Sequence, residues 1–155
     1  LRPYGKTRDF RRTSLRVEAL IKRSPVTISP SATIRQAAEV FAREKIGLLV
    51  VTSSVSPVRA LAVISERDVV RAVAKGTPLT AQLDTVASKK LISVKRSDMP
   101  SKAVRLMMDN GIRHLIVEND DGTLFGVISI RDFFRETKLL QSFLRDEAED
   151  VHGVD

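Results

Sequence analysis

The chain has 155 residues, 43% hydrophobic and only 5% aromatic, with a net charge of +7. That length and apolar content suit one compact domain or two small packed units, and no apolar run approaches the ~20 residues of a membrane span. The absence of cysteine excludes disulfides, thiolate catalysis and thiolate metal sites, and fits a cytoplasmic protein.

Residues 1–16 read as a basic arm, in which Arg2, Lys6, Arg8, Arg11, Arg12 and Arg16 face a single acid, Asp9. No apolar core follows it, so it does not read as a secretory signal. Tyr4 and Phe10 interleave with the cations, a pattern compatible with phosphate contact and base stacking. Nucleic acid is therefore an alternative partner. A short strand is predicted over Val26–Ile28, then a helix in which Ile34, Ala37, Ala38 and Phe41 form one apolar face. Thr33 and Gln36 stand at the spacing of a capping box at its start. A buried strand, Leu48–Val51, and a second strand, Leu61–Ile64, follow, and another helix begins at Ser65.

The same order then returns. Ile92–Val94 reads as a strand, and Pro100 opens a helix that repeats the apolar face with Ala103, Val104 and Met107. Leu115–Val117 and Leu124–Ile128 read as strands, and a last helix begins at Ser129. The return is visible in the residues themselves. AVISERDVV (62–70) and GVISIRDFF (126–134) share five of nine positions at an offset of 64. SPVTISPSATIRQAAEVFAREKIGLLVV (24–51) aligns with KLISVKRSDMPSKAVRLMMDNGIRHLIV (90–117) at an offset of 66. The two-residue difference falls in the loops TSSVSPVRA and ENDDGTLF, where length changes are tolerated. The chain is thus a duplicated β-α-β-β-α unit: repeat 1 over 17–76, repeat 2 over 80–138, and a C-terminal helix with an acidic tail over 139–155. The expected fold class is α/β, an α+β sandwich of two repeats packed with pseudo-twofold symmetry.

Both units close on a strand that runs into Ser-x-Arg-Asp at a helix start: Ser65, Arg67 and Asp68, then Ser129, Arg131 and Asp132. Two readings fit. Ser and Asp at this spacing form a capping box. Alternatively, a helix start with a hydroxyl and a guanidinium suits a phosphate, and a carboxylate beside them suits the vicinal hydroxyls of ribose. Capping alone leaves the recurring arginine unexplained.

The duplicated unit, with its S-x-R-D junctions and the N-G-I-R-H-L-I-V stretch of the second copy, resembles a tandem pair of cystathionine β-synthase (CBS) domains, a Bateman module. The resemblance covers about residues 17–137. It implies two sheets meeting at a central interface, two clefts between the repeats that take adenosine compounds, and pairing of modules into homodimers. By the same resemblance Asp132 and Asp68 would hold ribose hydroxyls. Ser129, Arg131, Ser65 and Arg67 would serve the phosphate, joined in the second copy by Arg113 and His114. Thr27 and Ser93 would border the adenine, with Ile28, Ile46, Val94 and Ile112 around the base.

The copies differ at these positions. Gly47 and Leu48 replace Arg113 and His114, and Ala62 replaces Gly126. The clefts are therefore expected to be unequal, with Asp132 in the better one. No H-E-x-x-H, Walker loop or G-x-S-x-G is present, and no catalytic role is assigned. His152 reads as solvated in the acidic tail, and Met107 and Met108 as fillers of core gaps. The reading that follows is a ligand-sensing regulatory module for AMP, with ADP or ATP next, acting on an effector in trans. S-adenosylmethionine is the alternative ligand. The cations disfavour it, because its sulfonium is itself positive.

Overall fold

The computed structural model describes residues 15–135. Nearly all of the basic arm, the expected C-terminal helix and acidic tail, and His152 lie outside the described residues. The elements run α1 (Val17–Leu20), β1 (Thr27–Ile28), α2 (Ile34–Glu44), β2 (Leu48–Thr52), β3 (Ala60–Ser65) and α3 (Glu66–Ala74). A single 3-10 turn, Leu83–Thr85, leads into β4 (Ser93–Lys95), α4 (Pro100–Asn110), β5 (His114–Glu118), β6 (Leu124–Ser129) and α5 (Ile130–Phe134). No helix among the described residues is long and apolar enough to cross a membrane.

The two expected β-α-β-β-α units form two three-stranded sheets, ordered β1-β2-β3 and β4-β5-β6. In each, a parallel pair is joined to an antiparallel hairpin. The register repeats with the sequence: Thr27 pairs with Val50, and Ser93 with Ile116, each 66 residues further on. The central strands are almost wholly apolar, and successive residues Leu49–Val51 and Leu115–Val117, which point to opposite faces, are all buried. The capping box at Thr33 forms, with the Gln36 amide donating to Thr33 Oγ1 at 3.2 Å and Thr33 N donating to Gln36 Oε1 at 2.8 Å. Pro100 occupies the first turn of α4, where a missing N–H is harmless. Both long helices end in a left-handed residue, Lys45 (φ 53°) and Gly111 (φ 62°).

The cores do not follow the boundaries read from the sequence. Val17 and Leu20, assigned to repeat 1, are buried with Val94, Met107, Leu115 and Ile128 in the second half. Leu83, assigned to repeat 2, is buried with Ile34, Phe41, Leu49 and Ile64 in the first. Each leading segment is also tied by backbone to the half it enters. Val17 N donates to Asp98 O at 3.0 Å, and Leu83 N donates to Ala32 O at 2.8 Å. These bonds correspond residue for residue at the 66-residue offset, so the exchange obeys the pseudo-twofold. Around α1 it is reinforced by Arg96, which binds Glu18 and lies 4.2 Å from the centroid of the Phe125 ring.

Candidate functional site

Because α1 sits in the second half and β1 in the first, the strap between them, residues 21–26, must cross from one to the other. It forms one wall of a cleft of about 760 Å³. The opposite wall comes from the end of β6 and the start of α5, and the floor from Ile46–Leu48 and Arg113–His114. The volume lies in the range of small-molecule sites.

At the β6–α5 junction, Ser129 N donates to Asp132 Oδ2 at 2.7 Å and Arg131 N donates to Ser129 Oγ at 3.2 Å. The capping reading is therefore correct as far as it goes. It occupies one carboxylate oxygen of Asp132, which lines the cleft, and leaves Oδ1 with no hydrogen bond among the described residues, only an ion pair to Arg135 Nη1 at 4.0 Å. The β5–β6 register places His114 directly opposite Ser129, and Ile130 N donates to Arg113 O at 2.8 Å. These bonds gather Ser129, Arg131, Asp132, Arg113 and His114 at one point. Lys22, Arg23, Lys45 and Arg135 add positive charge to the rim, against Glu66 and Asp132. Such a concentration of cations attracts an anion.

The glycine differences between the copies acquire a reason here. A Cβ on Gly47 would lie 2.7 Å from His114 Cε1 and 2.9 Å from Nε2, so the imidazole rests on bare backbone. A Cβ on Gly126 would lie 3.0 Å from Ile21 Cδ1 in the strap. What reads in the sequence as a lost basic residue at position 47 is the space that His114 fills. Burial holds the half-buried His114 below the ordinary imidazole pKa. The nearby carboxylates of Asp132 and Glu66 oppose this, and Arg131 and Arg113 reinforce it.

The other junction is arranged differently. Asp68 Oδ2 takes both Ser65 N at 2.8 Å and Ser65 Oγ at 2.7 Å, while Oδ1 takes Arg71 at 3.2 Å. Both of its oxygens are engaged. Above it, the strap of the second copy is bonded to the sheet edge: Val63 N donates to Ser88 O at 2.9 Å and Ser88 N to Val63 O at 2.8 Å. The corresponding residues 66 and 64 positions away, Lys22 and Val127, share no such bonds among the described residues and both line the cleft.

Of the residues singled out in the sequence, Asp132, Ser129, Arg131, Arg113, His114 and Ile46 meet in the cleft. Asp68, Ser65 and Arg67 stand at the other junction. Ser93 and Ile112 do not line this cleft, nor do Thr27 and Ile28, which continue from its wall at Val26. Val94 is a correction: only 2% exposed, it faces the second core and cannot border a base. Lys22, Arg23, Lys45, Glu66 and Arg135 were missed. The strap residues carry no periodic signal, and Arg135 lay in plain view three residues after Asp132.

Comparison with known proteins agrees with this architecture. The family model described as "CBS domain" matches residues 17–75 and 83–138. An uncharacterized 17.7 kDa protein of Acidianus ambivalens is 32% identical over 108 residues, and the match covers 70% of this chain and 64% of that protein. Among solved structures, a CBS domain protein from Pyrobaculum aerophilum complexed with AMP is 38% identical with a TM-score of 0.78, covering 84% of this chain and 99% of that one. A CBS domain pair in complex with 5-methylthioadenosine and S-adenosyl-L-methionine is 16% identical with a TM-score of 0.71, covering 78% of this chain and 94% of the other, a likeness of fold.

Proposed function

The chain belongs to the CBS domain family, and from that premise we propose that it is a regulatory module that senses an adenine nucleotide, AMP first, in the cleft walled by the strap and α5. The observation that carries this is the junction itself. A cleft-lining carboxylate with one oxygen fixed by the helix cap and the other held only by a 4.0 Å ion pair sits beside a hydroxyl and the guanidiniums of Arg131 and Arg113. Asp132 Oδ1 accepts from the ribose diol, while Ser129, Arg131, Arg113 and His114 receive the phosphate. The adenine lies between the strap at Pro25–Val26 and Ile46. The related AMP complex from Pyrobaculum aerophilum supports this ligand.

The nucleotide would touch the strap, the first half and the second half together. Its binding therefore biases their relative placement only as far as it prefers one arrangement. The output passes to an effector in trans. We also propose that modules pair as homodimers. In support, α3 exposes Val70 (66%) and Val73 (57%), and α5 exposes Phe134 (59%), apolar groups suited to covering by a second copy.

Calorimetric titration of AMP into nucleotide-stripped protein tests the reading. Micromolar binding at one site per chain is expected, with ADP, ATP and S-adenosylmethionine as competitors. No heat and no competition by any of them would refute it.

A further inference from the structure

Among the described residues that line the cleft, His114 is the only histidine, the side chain whose ordinary pKa lies nearest neutrality, and its setting is unusual. The ring lies on the backbone of Gly47, in contact with the other half of the chain. Neither ring nitrogen has a hydrogen-bond partner among the described residues, and no buried side-chain nitrogen or oxygen is left unsatisfied there. The nitrogens are therefore not sealed in the core, and His114 lines the cleft. Four charged groups face it: Asp132 and Arg131 from α5, Glu66 from the start of α3, and its neighbour Arg113.

Resting on the nucleotide reading above, we propose that His114 selects for a phosphorylated ligand by taking up a proton as the phosphate enters, so that the imidazole is neutral in the empty cleft and an imidazolium in the occupied one. The balance of charges gives the direction. In the empty cleft, partial burial favours the neutral ring, and two arginines partly offset two carboxylates. A phosphate dianion placed against Arg113 and Arg131 cancels their effect on the ring and adds attraction of its own. The unpartnered nitrogens then have an acceptor, and the charged form donates to it from whichever nitrogen faces the ligand. The proton comes from solvent, and no bond in the ligand is made or broken. An adenosine compound without phosphate supplies neither the charge nor the acceptor, so it binds without the proton. A cationic sulfonium is opposed by the rim arginines and gains nothing from the histidine.

Two consequences are measurable. AMP affinity rises as the pH is lowered from 8 to 6.5, by at most about tenfold per pH unit, the limit for one linked proton. Binding also absorbs a fraction of a proton from the buffer. The experiment is calorimetry of AMP and of adenosine at pH 7 in two buffers of different ionisation enthalpy, with the wild-type chain and with His114→Gln. The phosphate's own titration is common to both chains and cancels in their difference. Expected are net proton uptake for AMP in the wild type, none for adenosine, and loss of the His114-dependent part in His114→Gln, whose folding is checked by its thermal transition. AMP binding in the wild type with buffer-independent heat overturns the inference and leaves the nucleotide reading standing. Equal uptake in both chains also overturns it. Failure of AMP to bind the wild type at all overturns the nucleotide reading, and this inference with it.

Discussion

The Ser65–Asp68 and Ser129–Asp132 junctions have the same Ser, Arg and Asp at the same spacing, yet differ in what is left over after the helix is capped. At the first, the serine hydroxyl accepts from the Asp68 amide and also donates to the carboxylate, and Arg71 takes the other oxygen. At the second, the hydroxyl faces an amide and the arginine stands 4.0 Å off. One junction is complete without a ligand, while the other has polar groups to spare. The straps differ in the same sense. Ser88 is bonded to the edge of β3, whereas Lys22 stands at the open cleft. The same residues at the same spacing can thus leave different hydrogen bonds unmade.

The sharpest way to break this contrast is to remove each carboxylate in turn. Asp132→Ala should weaken AMP about 10- to 100-fold, the equivalent of losing charge-assisted hydrogen bonds of about 1.5–3 kcal/mol. Asp68→Ala should leave the affinity within about twofold in the same calorimetric titration. Both lose the return bond of a capping box, and Asp68→Ala also loses its bonds to Ser65 Oγ and Arg71, so thermal melting should fall at least as far for Asp68→Ala while affinity falls for Asp132→Ala alone. Equal losses of affinity would erase the distinction.

Next in size is Gly47→Ala. Its methyl group collides with the His114 ring, which should destabilise the fold by about 1–3 kcal/mol. The double variant Gly47→Ala/His114→Ala should recover most of that in chemical denaturation, because the collision and not the glycine's freedom is at issue. An additive double variant would contradict the packing.

A smaller effect is expected from Ser88→Pro, which deletes the donor to Val63 O and should cost about 0.5–1.5 kcal/mol. Titration of this variant should still give one site per chain, because Asp68 keeps its internal partners. Two sites would show that the bonded strap alone separates the clefts.

The smallest effect concerns Asp98, whose place in the first half is held by Ala32. The hydrogen bond from Lys102 holds its carboxyl below the usual aspartate pKa against the opposing effect of burial, helped by the Lys95 amide at 2.8 Å. Because the folded-state pKa is depressed, this group stabilises the fold above its unfolded pKa of about 3.9. The contribution is lost as the pH falls through the lower folded value. Asp98→Asn should flatten the acid limb of the melting-temperature curve slightly, and an unchanged limb would speak against it.

Much of the fold was legible because the signals were periodic and doubled. The face of Ile34, Ala37, Ala38 and Phe41, the box at Thr33 and Gln36, and the offset of 64–66 residues each constrain the architecture independently. The ends of the elements moved by only a residue or two. What escaped was short. A four-residue helix and a three-residue turn show no periodicity, so nothing in Val17–Leu20 or Leu83–Thr85 reveals that each packs into the other half. The strap is hidden for the same reason, and with it Lys22, Arg23 and a wall of the cleft. Asp132 and its neighbours were legible because chemistry and spacing coincide there. Val94 was misplaced because strand alternation alone does not say which face is the core. Gly47 was misread because a small residue records the shape of its neighbour rather than a function of its own.

The exchanged segments have a consequence for how such a chain can be divided. Severed between Gly76 and Leu83, the first piece would keep Val17 and Leu20, which complete the other piece's core, and would lack Leu83, which completes its own. Neither piece is a finished unit, and each holds the other's missing part. Because the two plugs occupy equivalent positions, a solitary unit could close its core only by borrowing the plug of a second copy. Joining two units in tandem turns that intermolecular loan into an intramolecular one, no longer dependent on concentration. Within one chain the two copies can then differ, one carrying His114 and the other the glycine beneath it, Gly47.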